Sequence, residues 1–244
     1  MTLAIERTTE ITNPLDAGGV VAVLAHPDDE FIIGGLLEAY RRRGTRVQAV
    51  VATDGTESDR GDPEQLQKGH RRHEGQLALS AYGILAPQQH FWGLPDGRLH
   101  TDDHLRTAAR KLRELLAEYP GIDTIITLGA HGFDGHTDHG AMHNAAFAAA
   151  AQLSTSGRQL SLFGASRSET PIQISASPRL KLTNLAPHGS QFTVDLSDPH
   201  YIPEPGTVEQ PGIRLSDRSR RDLGQYFLNL HLERYEHYPL PGTV

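Results

Sequence analysis

The stretch "LAHPDDE", Leu24 to Glu30, follows the apolar run "VVAVL" and sets one imidazole and three carboxylates within a few positions. Like charges this close cost free energy unless something positive sits among them. A divalent cation would meet that need. His26 and Asp29 are three residues apart, so across a tight turn their side chains can reach one point. Pro27 fixes φ between them and removes a backbone donor. Asp28 then points elsewhere, near the same centre but outside its coordination plane. One His and one Asp make two ligands. A catalytic zinc-type site needs a third, with a position left open for water.

A second cluster, "HTDHGAMH", can supply it. His136, His139 and His143 could share one face of a helix, and Gly132 and Gly135 before them let the backbone approach closely. A set of nitrogen and oxygen donors suits zinc, and also ferrous iron or nickel. Alone, a histidine is ordinarily a surface or satisfied core residue, and "DDE" is ordinarily a helix N-terminus, where acids are favoured. It is the two clusters together that point to a metal.

The elements that would carry these clusters alternate. "VVAVLA" (20–25), "RVQAVVAT" (46–53), "HFWGL" (90–94) and "DTIITL" (123–128) read as short buried strands. "EFIIGGLLEAYRRR", the second half of "QLQKGHRRHEGQLALSAYGI", "DDHLRTAARKLRELLAEY" and "HTDHGAMHNAAFAAAAQL" read as helices. The alternation predicts an α/β, Rossmann-like fold with a mostly parallel sheet and helices on both faces. Ligands in such folds bind at the carboxyl ends of the strands. "AHPDDE", "TDGTESD", "GLPDG" and "GAHGFDGHTDH" all lie at such ends. One domain is expected, with its core at about 18–153. A β-rich elaboration at about 154–212 would use "PIQISA", "LKLTNLA" and "QFTVDL" as strands and "DPHYIPEPGTVEQPG" as a loop. A closing helix at about 214–236 would be capped by Ser216.

Composition narrows the function. Without cysteine there are no disulfides, thiolate ligands or cysteine nucleophiles. A net charge of −7 argues against nucleic acid, and the basic cluster "RRRGTR" reads as a helix end stopped by Gly44. No apolar run reaches the roughly 18 residues of a membrane span, and the first residues lack a signal-peptide pattern. A cytoplasmic protein with no membrane or nucleic-acid partner is expected. Its oligomeric state is left open.

"AHPDDE" after a first strand, with "HTDH" later, resembles the LmbE-like or PIG-L deacetylases over roughly residues 18–150. The resemblance implies zinc-dependent hydrolysis of an acetamido group on an N-acetylglucosamine-type sugar or conjugate. It implies His26, Asp29 and His139 as metal ligands, Asp28 as general base and His136 as the oxyanion donor, with Asp138 orienting an imidazole behind it. "RRHE" matches a helix motif of the family, giving Arg71 and Glu74. "GLPDGRL" matches a loop where an acid meets sugar hydroxyls, giving Asp96. Arg71 would then be a substrate contact too. The plainer alternatives are a surface ion pair for Arg71 and Pro-Asp-Gly turn chemistry for Asp96. The competing activity is metal-dependent hydrolysis of another amide or of a phosphoester. A dinucleotide-binding enzyme would need G-x-G-x-x-G where "AHPDDE" stands.

Overall fold

The computed structural model describes residues 11–58, 69–194, 213–214 and 231–241. Four strands alternate with helices: β1 (Gly19–Leu24), α1 (Gly34–Arg43), β2 (Arg46–Thr53), α2 (His70–Ala81), β3 (Gln89–Leu94), α3 (Asp102–Glu118) and β4 (Thr124–Leu128). The turn α4 (Gly132–Gly135), α5 (Thr137–Thr155) and β5 (Ser161–Ser166) follow. The sheet continues through β6 (Ile172–Ser175) and, after α6 (Pro178–Leu185) and the short β7 (Thr193–Val194) and β8 (Ile213–Arg214), ends in β9 (Leu232–Tyr238).

The strand order is β3-β2-β1-β4-β5-β9-β6. β1 to β5 are parallel, and β9 runs antiparallel between β5 and β6. Fully buried strands read as continuous apolar runs because both faces are covered. Val20, Ala22 and Leu24 of β1 pack in one core with Ile33, at the start of α1, and Leu36, Leu37 and Tyr40 within it. Val21 and Val23 pack in the other with Leu112 and Leu116 of α3 and Met142, Ala145 and Ala149 of α5. The expected parallel sheet with helices on both faces is the observed one. The chain winds outward from β1 through β2 to β3, then returns to place β4 on the other side of β1. That reversal opens a crevice beyond the carboxyl ends of β1 and β4. His26 follows β1 and the Gly132–His139 segment follows β4, so both clusters converge on it.

The basic cluster behaves as a helix end. Gly44 adopts φ 70° as the cap of α1, and Arg41 and Arg42 both pair with Glu38.

The last third departs from expectation. β5 extends the main parallel sheet instead of belonging to an appended β unit. "PIQISA" does contain a strand, β6, and β7 lies within "QFTVDL". "LKLTNLA" is helical, within α6: Ser177 caps it and Pro178 stands in its first turn, both favourable at a helix start. The closing helix is corrected as well. Leu232–Tyr238 form strand β9, while Ser216 and residues 215–230, like the loop 198–212, lie outside the described residues.

β9 is fixed by a buried ion pair. Glu233 Oε1 lies 2.7 Å from Lys181 Nζ of α6, and neither side chain is more than 1% exposed. Glu233 also accepts the N–H groups of Gly35 and Leu36 at 2.6 and 3.0 Å, which caps the amino end of α1 with a carboxylate. Removing one member of a buried pair strands the other charge. Lys181→Met should therefore destabilise the fold by about 3 kcal/mol in denaturant unfolding, with the remaining hydrogen bonds to Glu233 keeping the loss near the low end of the usual range. A loss within ~0.5 kcal/mol, the scale of a surface substitution, would mean that the pair does not anchor β9.

Candidate functional site

β1 ends at Leu24, and the chain turns at once through His26, Pro27 and Asp28 into a 3-10 turn at Asp29–Phe31. The turn aims Asp29 back at its own backbone. Asp29 Oδ2 accepts the N–H groups of Ala25 and His26 at 2.9 and 2.8 Å. Its Oδ1 is left 3.0 Å from His139 Nε2. His139 stands in the first turns of α5, and its Nδ1 lies 3.0 Å from both the Gly132 carbonyl and Asp134 Oδ1. His26 is arranged in the same way. Its Nε2 lies 3.1 Å from Asp96 Oδ1 and 3.6 Å from Asp138 Oδ2, and its Nδ1 lies 3.2 Å from His139 Nε2.

These contacts assign the tautomers. His26 donates from Nε2 and His139 donates from Nδ1, so each turns a lone pair toward the other and toward the Asp29 carboxylate. Three acceptor atoms facing one another in a buried space repel unless a cation joins them. His139 Nε2 lies 3.0 Å from Asp29 Oδ1 and 3.2 Å from His26 Nδ1, and His26 Nδ1 lies 3.6 Å from the other Asp29 oxygen, Oδ2. A tetrahedral ion with bonds near 2.0–2.1 Å needs donor separations of about 3.3 Å. The residues fit a small divalent metal. The carboxylate behind one imidazole and the carbonyl and carboxylate behind the other are the partners that ligating histidines use.

Without an ion, protons take its place. Burial works against charge on His26, but hydrogen bonds to Asp138, Asp29 and Asp96 overcome it and hold the imidazole well above its usual value. His139 is also buried, yet Asp29 and Asp134 raise it to about 10. Asp29 is held well below the carboxylate range by His139 and His26, against burial.

Two other donor groupings share these residues. His26, His136 and His139 can each bring one donor within 4.8 Å of the others, and so can His26, Asp96 and Asp138. In the second, both carboxylates are already engaged. Asp138 accepts Gly97 and Leu99 N–H at 2.8 and 3.0 Å, and Asp96 accepts Glu57 and Gly97 N–H at 2.7 and 3.0 Å. That side of His26 donates to carboxylates, and the lone-pair side suits a metal.

His136 is exposed at the rim, with its ring centroid 4.8 Å from those of His26 and His139. It caps α5: its Nδ1 accepts the Asp138 N–H at 3.2 Å. The proton therefore sits on Nε2 in the neutral ring. Burial lowers the His136 pKa, and the charges on His26 and His139 lower it further. A neutral imidazole with an N–H free to donate beside the centre is the result.

A model of the GlcNAc-PI de-N-acetylase (PIG-L) family matches residues 21–150. The chain belongs to the PIG-L family. It is 32% identical over 169 residues to the 1D-myo-inositol 2-acetamido-2-deoxy-alpha-D-glucopyranoside deacetylase of Corynebacterium glutamicum, covering 58% of this chain and 56% of that one. The protein of the same name from Mycobacterium sp. (strain KMS) is 31% identical over 171 residues, covering 59% and 54%. The chain thus spans about half the length of the curated relatives it matches. In fold it is similar to N,N'-diacetylchitobiose deacetylase from Pyrococcus horikoshii, with a TM-score of 0.63 and 20% identity over 75% of this chain and 74% of that one.

Against the PIG-L pattern, the expected ligands His26, Asp29 and His139 meet at one point, with His136 beside them. Two other residues, Arg71 and Asp96, stand elsewhere than expected, while Asp138 does face an imidazole, that of His26. Arg71 is 3% exposed. Its Nη2 donates to Asp28 Oδ2 at 2.8 Å and to Pro27 O at 2.7 Å, and its Nη1 donates to Gly55 O. It lies behind Asp28 instead of facing a substrate. Gly55, at φ 66°, makes room for it, because a Cβ there would lie 2.2 Å from Nη1. Asp96 is turned inward to His26, which together with its backbone partners holds its pKa at about 2 against burial. Asp138 meets His136 through its backbone N–H, while its carboxylate faces His26. Glu74 of the same helix motif as Arg71 accepts from Ser190.

Asp28 sits at φ 98°, a left-handed conformation that a non-glycine residue adopts at a cost. Its carboxyl is 16% exposed and pairs with Arg71. Sequence reasoning passed over Asp134, although an acid two residues before His136 in a glycine-rich loop is a readable signal. It also passed over His188, whose surroundings, "APHGSQ", carry no pattern at all.

Proposed function

We propose that the protein is a zinc-dependent de-N-acetylase that releases acetate from an N-acetylglucosamine-type sugar or sugar conjugate, acting in the cytoplasm. The observation that carries this reading is the convergence of His26 Nδ1, His139 Nε2 and the Asp29 carboxylate, with the neutral His136 imidazole beside them. Membership of the PIG-L family and the activities for which its relatives are named support the bond and the substrate class.

A divalent ion held by His26, Asp29 and His139 supplies Lewis-acid polarisation of an acetamide carbonyl and a lowered water pKa. The rest falls to the chain. Asp28, held by Arg71, takes the proton from the attacking water. His136 donates its Nε2–H to the oxygen where negative charge develops. Asp28 can return its proton to the departing amine, or His136 can give one. Asp138 and Asp96 hold the His26 ring in place.

Phosphoester hydrolysis, the competing activity, wants cations near the reacting group. The nearest candidates are committed: Arg71 to Asp28, and Arg72 to Asp54 at 2.9 Å. Among the described residues no helix is long and apolar enough to cross a membrane.

The test is acetate release by the metal-loaded protein on GlcNAc, GlcNAc-malate, GlcNAc-inositol and diacetylchitobiose. No acetate from any of them would remove the reading.

The metal assignment makes its own prediction. About one divalent ion should bind per chain, and His26→Ala and His139→Ala should each lose it. Because the ion-free imidazoles hold protons at neutral pH, loading at pH 7 should release about one to two protons per ion. Their raised pKa values set the sign: protons compete more strongly as pH falls, so affinity weakens in acid. Elemental analysis and calorimetry in buffers of different ionisation enthalpy check both points. Full occupancy in both variants would show that the ligands are others.

A further inference from the structure

Beyond β5 the chain returns to the site from behind. The segment 188–191, "HGSQ", follows α6 and lies outside the matched family region 21–150. It contacts three site-bearing elements. His188 Nε2 donates to Glu30 Oε1, both side chains being at most 1% exposed. Glu30 Oε2 in turn accepts the Asp28 N–H at 3.1 Å. Ser190 donates from N and Oγ to Glu74 at 2.8 and 2.6 Å, one turn of α2 beyond Arg71. Gln191 Oε1 accepts from Ser58 Oγ at 2.6 Å in the loop after β2.

The left-handed backbone of Asp28 persists only if its surroundings over-determine it. Two side chains hold that residue, Arg71 its carboxylate and Glu30 its N–H, while its carbonyl accepts the Phe31 N–H of the 3-10 turn. Glu30 has no freedom of its own, because its second oxygen is bound by His188. Glu74 fixes the other end of the same segment to the helix that carries Arg71. Both grips on Asp28 are thereby tied to residues 188–191.

We propose that His188 is a positioning residue for catalysis: through Glu30 it holds Asp28 in the conformation from which the carboxylate acts as base, with Ser190 tethering the segment that carries it. The proposal rests on the de-N-acetylase reading for the role of Asp28. His188 touches neither the reacting atoms nor the metal ligands. Its Nδ1 has no hydrogen-bond partner among the described residues, so its polar contribution is made at Nε2. Glutamine can place an N–H near that position. Leucine fills the space without one.

The experiment compares wild type, His188→Leu, His188→Gln and Ser190→Ala by kinetics, metal content and crystal structure. A displaced base costs turnover and spares binding. His188→Leu should lose about ten- to a hundredfold in kcat, with KM within about twofold and metal content unchanged. His188→Gln should recover to within about threefold of wild type. Ser190→Ala, the milder change, should fold in any case and lose about threefold in kcat, because one of two tethers to Glu74 remains. Unchanged kcat in folded His188→Leu overturns the proposal. So does a loss that follows metal content, or one that glutamine fails to recover. If His188→Leu does not fold, the decision passes to glutamine and Ser190→Ala, and wild-type kcat in the latter overturns it. If wild type releases no acetate, the de-N-acetylase reading fails, and the variant structures decide the positioning claim alone. Asp28 leaving φ 98° and losing Arg71 in the leucine or alanine variant supports it, and Asp28 unmoved overturns it.

Discussion

Asp28→Asn should bind metal like wild type and turn over about 10²–10⁴-fold more slowly, the usual contribution of a general base. The substitution is well matched to its place. Asparagine tolerates the left-handed region better than most residues, so φ 98° is not made worse. Its amide oxygen can still accept from Arg71, which now donates to Asp28 Oδ2 at 2.8 Å. Size, backbone and partner are kept, and only the ability to take a proton is lost. The adjacent residue should respond in the opposite way. Asp29→Asn can keep the oxygen that accepts from Ala25 and His26, but then presents an amide N–H₂ to the lone pair of His139. That site should lose metal, and turnover with it. Metal analysis and kcat measured on both variants separate the two roles. Loss of metal in Asp28→Asn with retention in Asp29→Asn would exchange them.

The two aspartates also show how much could be read in the sequence. The set His26, Asp29 and His139 comes from two short segments, each following a strand of continuous β-branched residues, and strands of that kind are legible. So are α3, with its strong apolar stripe, and the position of "HTDH" at the start of a helix. The misread parts are those where tertiary partners override local pattern. "LERYEHY" reads as charged and helical because its inward positions include Glu233. That carboxylate is buried only because Lys181 and the amino end of α1 meet it there. "LKLTNLA" suggests a strand by its alternating leucines, while the stronger signals, Ser177 and Pro178, lie just before it. Arg71, Asp96 and Asp138 were placed in the site by resemblance to motifs. Their directions depend on which backbone groups lie opposite, and no spacing encodes that. Arg71 became a support for Asp28 because Pro27 and Gly55 present carbonyls behind the turn.

His136→Ala tests the reaction class most directly. The variant should keep its metal, since His136 is not needed for the His26–Asp29–His139 set. It should lose about 10²–10³-fold in acetate release, the cost of removing one oxyanion donor. The donor is defined by the structure: Nδ1 is occupied by the Asp138 N–H, which leaves the proton on Nε2. Burial and the neighbouring imidazoles keep the ring neutral, so it retains that single orientation at neutral pH. His136→Gln, which can present an N–H from a similar distance, should recover part of the loss. Acetamido sugars and generic phosphoesters should be assayed side by side on wild type and variant. An amide substrate develops its charge on one carbonyl oxygen, and a single neutral donor beside a cation suits it. A phosphoryl group spreads charge over several oxygens and is served by cationic groups. Arg71 and Arg72 are already paired with Asp28 and Asp54. Phosphate release without acetate would overturn the de-N-acetylase reading. Acetate release that survives His136→Ala undiminished would leave the reaction in place and move the oxyanion donor to another group.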